Sequence, residues 1–108
     1  MMEEGNGLSV LDTLVLIWEG RHRPGFLPFI GQPDVKILWG FVLGLETAAL
    51  RIGQKEIDYF QFRNWLRDVK QEFPPEGWHE KFLREAQGDH LAACLRFLGR
   101  VVEFRGMA

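Results

Sequence analysis

With a single cysteine, Cys94, among its 108 residues, the chain cannot form an internal disulfide, which fits a reducing, cytoplasmic setting. Long apolar runs are missing too. The longest, Ile37 to Leu45, ends at Glu46, far short of the roughly 20 residues a bilayer span requires, so no membrane segment is expected. Neither sign of charge dominates. Thirteen basic against fifteen acidic side chains leave a net charge of −2, too weak a positive field to make nucleic acid or anionic lipid an expected partner. The opening Met-Met-Glu-Glu-Gly-Asn-Gly is acidic where a secretory leader would be basic, and residues 1–8 are read as a flexible lead-in. Sustained apolar/polar alternation is also lacking, and only Phe26-Leu27 and Val101-Val102 suit even a short strand.

What is abundant is core material. Nine phenylalanines and four tryptophans, with 46% hydrophobic residues overall, supply enough apolar surface to offset the chain entropy of one domain. The periodicity predicts an all-α single domain of about five helices. Ser9 followed by Asp12 makes a capping box for a first helix over Val10 to Glu19, stopped at Gly20. A proline- and glycine-rich loop follows. Asp34 caps a second helix, Val35 to Ile52, apolar on nearly every side except Lys36, Glu46, Thr47 and Arg51 and therefore expected to be central and buried. Gly40 and Gly44 lie one turn apart in it. Glycine is costly inside a helix, so the pair predicts close approach of another element, before Gly53 ends the helix. Asp58 opens a third helix with a Tyr59, Phe62, Leu66, Val69, Phe73 stripe, stopped by Pro74-Pro75. Trp78 to about Ala86 forms a fourth, closed by Gly88. Asp89 caps a fifth carrying Leu91, Cys94, Leu95, Leu98, Val101 and Val102 on one face.

Chemistry-bearing patterns are few. His90 and Cys94 share a helix face, but a zinc site needs two further ligands and neither His22 nor His79 comes with paired spacing, so no metal or cofactor is expected. Ser9 reads as a cap and Cys94 as packing, which leaves no nucleophile in a recognisable turn and no catalytic assignment. An enzyme using His22 or His79 as a base is the least favoured alternative. Arg21-His22-Arg23 is the one dense basic spot. Helix termination accounts for it, although arginine forks there also suit a carboxylate or phosphate. Trp78 follows Pro-Pro-Glu-Gly at a helix start, a place where a tryptophan can be partly exposed and anchor an interface, although a hydrophobic lid over the core is the commoner role. Glu72, Glu76, Glu80 and Glu85 are the acids nearest to it. The candidate partner-binding residues are thus Arg21, Arg23, Trp78, Glu76 and Glu80. The alternative is a homodimer that binds a small ligand through the apolar loop Phe26 to Ile30 and the glycine stripe of the second helix.

Two landmarks carry a family resemblance. Arg23-Pro24-Gly25, Phe29-Ile30-Gly31, Leu38, Phe41, Gly44 and Ala48-Ala49 form the first. Phe62, Trp65-Leu66, Gly77-Trp78, Phe97-Leu98 and Glu103-Phe104 form the second. Together they resemble the Arg-Pro loop and Gly-Trp turn of a group of small bacterial helical proteins often encoded among toxin and immunity genes. The chain departs from that pattern by carrying Phe26-Leu27-Pro28 in the loop and Leu45 where an aromatic is usual. The resemblance implies a non-catalytic cytoplasmic binding protein that neutralises a toxin by covering its active surface, with acidic residues steering it toward a basic partner.

Overall fold

Ser9 starts the first helix in the way its spacing predicts. Its hydroxyl accepts from the Asp12 amide at 3.0 Å, and the Asp12 carboxylate accepts from the Ser9 amide at 3.4 Å. The structure is a computed structural model that describes residues 9–24, 26–27, 33–53 and 56–106. The lead-in 1–8 and residues 28–32, which include Phe29-Ile30-Gly31, lie outside the described residues. The elements are α1 (Val10–Glu19), α2 (Val35–Arg51), α3 (Ile57–Asp68), α4 (Trp78–Glu85) and α5 (His90–Phe104). Every regular element among the described residues is a helix, so the fold is all-α. Val101 and Val102 are helical, not extended, and Leu27 is buried in a bend.

The centre of the fold is α5, not α2. Ala93, Cys94, Phe97, Leu98, Val101 and Val102 are all buried, and α1, α2, α3 and α4 each pack on this one helix. Its aromatic residues organise the rest. Trp78 stacks face to face on Phe97 with centroids 3.7 Å apart, and Phe62 meets Phe97 and Phe104 edge-on at 5.9 and 5.6 Å. Residues of all five helices share one apolar cluster. The expectation of a buried α2 is corrected. Only Val35, Leu38, Val42 and Ala49 of its seventeen residues are buried, because α5 already fills the middle and a domain this small has no second layer to lay over α2.

Two boundaries also differ from expectation. Helix α3 begins at Ile57 and ends at Asp68, well before Pro74-Pro75. Gln71 turns the backbone into the left-handed region (φ 56°) and the Glu72 amide donates to the Leu66 carbonyl at 2.9 Å. The turn happens there because Glu72 is drawn inward, where its carboxylate accepts from Arg96 at 2.9 Å and from Arg100 at 2.7 and 3.1 Å. Val69, expected on the buried stripe, is left 66% exposed. Asp58 does not cap α3. It binds Arg105, which also holds Asp12 and so ties α5 to α1 and α3. Glu56 sits at the α3 N-terminus yet spends a carboxylate oxygen on the Val10 amide at 2.7 Å, satisfying one of the unpaired donors at the start of α1.

Candidate functional site

Among the described residues, the outer side of α2 is an apolar surface without an internal task. The inward residues of this helix recur at 35, 38, 42 and 49. At 100° per residue the opposite side carries Ile37, Gly40, Leu43, Gly44, Thr47 and Leu50. Ile37, Leu43 and Leu50 are 47%, 40% and 61% exposed. Gly40 and Gly44 lie between them with no atom of another element within 4 Å of where a Cβ would stand. No part of the described chain therefore makes the close approach that the glycine pair predicted. The helix-interior glycine against which a described neighbour does pack is Gly99 of α5, where the Trp18 ring comes within 3.6 Å of a built Cβ. Nothing in the pattern around Gly99 distinguished it in the sequence.

Charge on this side of α2 is one-signed. Lys36 lies at its N-terminal end and Arg51 at its C-terminal end, about 22 Å apart along the helix. Lys36 makes only a 4.0 Å contact with Glu80, and Arg51 has no ion-pair partner among the described residues. The one acid of the helix, Glu46, is turned toward α3, where Arg63 binds it at 2.8 Å. Further contacts cap and anchor the N-terminal half of α2. Asp34 accepts from the Lys36 and Ile37 amides, the His90 Nδ1 accepts from the Val35 amide at 3.1 Å, and Trp39 stacks on His79 at 4.2 Å. The backbones of α2 and α3 stay apart and are bridged by the Glu46–Arg63 pair, while Leu43 and Leu50 beside it keep their exposure.

The residues singled out from sequence are held by different neighbours. Arg21 lies over the Trp18 ring at 3.9 Å and donates to the Trp18 carbonyl at 3.0 Å, so it finishes α1. Arg23 and His22 are exposed. Of the two roles open to Trp78, the structure shows packing in the core. It is 3% exposed, clamped on Phe97, because the turn ahead of it aims the indole into the core. Glu76 and Glu80 begin the α4 region, 3.8 Å from Arg84 and 4.0 Å from Lys36 respectively. Glu85 pairs with Lys81 and Arg96, and Glu72 is buried.

No protein-family model, curated protein or solved structure matches this chain.

Electrostatics separate structural groups from available ones. Burial works against the Glu72 charge, but the hydrogen bonds from Arg100 and Arg96 prevail and hold its carboxyl below the usual range. The Asp12 carboxyl is likewise lowered against burial by Arg105 and Ser9. Burial pushes the Cys94 thiol up to about 12, which leaves almost no thiolate at neutral pH and makes it a packing residue. Burial also lowers the His79 imidazole below the ordinary histidine value. Among the described residues no three His, Cys, Asp or Glu side chains gather in a way that could hold a metal ion, and no helix is long and apolar enough to cross a membrane.

Proposed function

We propose that this protein is a non-catalytic protein-binding module whose docking surface is the outer face of α2. The observation that carries the reading is the open Gly40-Gly44 stripe between exposed Ile37, Leu43 and Leu50. Each interior glycine costs a helix about 0.5–1 kcal/mol relative to alanine, and neither glycine repays that cost by packing against another described residue. A stripe of this kind lets another helix approach to backbone distance, with the flanking aliphatics closing on either side. Lys36 and Arg51 at the two ends suit an apolar helix flanked by acids. A second copy of α2 fits less well. An antiparallel pair sets Lys36 beside Arg51, a parallel pair sets each cation beside itself, and like charges disfavour both.

The more specific form of the proposal is a cytoplasmic immunity or antitoxin protein that occludes a toxin. It rests on the resemblance in the Arg-Pro loop and the Gly-Trp turn. Co-expression with the product of the adjacent gene tests both levels. The expected result is that the wild type restores growth while the Leu43→Glu, Leu50→Glu double variant does not, with its melting temperature unchanged. A neighbour that is harmless would remove the immunity form. Full rescue by the double variant would remove α2 as the docking face.

A further inference from the structure

The seam between α2 and α4 is built around a histidine with an unmet need. The His79 ring is 7% exposed, stacks on Trp39 of α2 (centroids 4.2 Å, planes at 25°) and meets Trp78 at right angles. Its Nδ1 is buried without a hydrogen-bond partner among the described residues. The backbone closes the remaining side. Gly77 has φ +99°, and a Cβ built there would fall 2.6 Å from Cε1 and 2.7 Å from Nδ1 of this ring. Only glycine allows the imidazole to seat so tightly.

We propose that His79 makes the α2–α4 seam a pH-sensitive latch, closed while the ring is neutral and released when it takes a proton. A neutral ring carrying its hydrogen on Nε2 leaves Nδ1 as a bare lone pair, which packs against Gly77 without clash. The second proton would create a charged N–H that faces backbone with no acceptor, a far dearer burial than an unused lone pair. The charged groups around the seam are few. Glu80, next to it on α4, favours protonation, and Lys36 of α2 opposes it. These two are 4.0 Å apart and offset one another. Across α4, Arg96 of α5 lies over Phe82 and is held by Glu72 and Glu85. At the N-terminus of α2, His90 accepts from the Val35 amide and stands 3.7 Å from Asp34. The Trp39 face attracts a cation and works against release, but a single stacked ring is worth less than hydrating a buried imidazolium.

The direction follows from burial. Because the folded imidazole binds its proton more weakly than a solvated one, the released state takes up protons first as pH falls. The seam is therefore at full strength above about 6.5, the ordinary histidine value, and weakens as pH descends through the folded value. Its opening would bare Trp39 and unseat the N-terminal half of α2, a change no other part of the core shares.

Amide hydrogen exchange from about pH 7.5 to about pH 5, corrected for the intrinsic rate, reads this directly. In the wild type, protection of α4 and of the first half of α2 should fall about tenfold relative to α1 and α5. The His79→Phe variant, which keeps a stacked ring, should lose that fall, and His90→Gln should retain it. An unchanged α4, an equal fall in His79→Phe, or loss of the fall in His90→Gln overturns the proposal. Should His79→Phe fail to fold, the ring titration of His79 in the wild type decides by NMR. It must lie below the ordinary histidine value and coincide with α4 opening, and a titration at or above that value defeats the latch.

Discussion

Helices α2 and α5 are the two most apolar long segments of the chain, and the fold treats them oppositely. In α5, apart from Leu91 in its first turn, the apolar residues are spent inward, with Phe97 stacked by Trp78 and crossed by Phe62, and its outward positions carry Arg96, Arg100 and Glu103 locked to Glu72 and Lys70. In α2 four residues are buried, Trp39, Phe41 and Leu45 pack partly against the core, and Ile37, Leu43 and Leu50 are left facing out around two glycines. Hydrophobic content alone does not say which helix is central. The deciding feature is whether apolar residues sit on a single side with charge opposite, as in α5, or all round, as in α2, where one side is surplus to the core.

The comparison is sharpest in its cost of truncation. Phe97→Ala removes the ring on which Trp78 and Phe62 both rest, and a loss of about 3–5 kcal/mol is expected in chemical denaturation. Against a total of about 5–15 kcal/mol for a domain this size, that approaches unfolding. A loss under about 1 kcal/mol would show that α5 is not the hub. Next in size is Glu72→Gln, which should cost about 1–2 kcal/mol near neutral pH, moderated by the partly exposed Arg96. Because the folded Glu72 carboxyl is lowered, its contribution is present above about pH 4.5 and disappears as pH falls through the folded value. The wild type should therefore lose stability over that acid range more steeply than the variant, and parallel curves would contradict the assignment. Smallest is Leu50→Ala on the outer face of α2, expected within about 0.5 kcal/mol of the wild type. A large loss there would mean that this face is covered.

Much of this was legible beforehand because local signals and packing agreed. Ser9, Asp34 and Asp89 cap the helices they precede, and α1 runs between the residues its periodicity marks. The end of α3 was hidden for a physical reason. A glutamine, not a glycine, adopts the left-handed turn, and what pulls the chain there is an ion pair between Glu72 and arginines 24 and 28 positions away. Trp78 looked available because Pro-Pro-Glu-Gly is turn chemistry, yet that turn is what points the indole at Phe97. For the candidate site, the glycines were visible, but the close approach they suggested is not made by any described residue of this chain. His79 was visible only as a weak ligand or base candidate, and its place in the α2–α4 seam gave no signal, since that comes from Trp39, some forty positions earlier in sequence.

The central claim is that the outer face of α2 is kept open at a cost in stability, and the thermal unfolding of the Gly40→Ala, Gly44→Ala double variant tests it most directly. With open space at both positions, the account predicts that the variant is more stable by about 1–2 kcal/mol, raising the melting temperature by several degrees. A lower melting temperature would contradict it, because the two glycines would then be needed inside the fold or between copies of it.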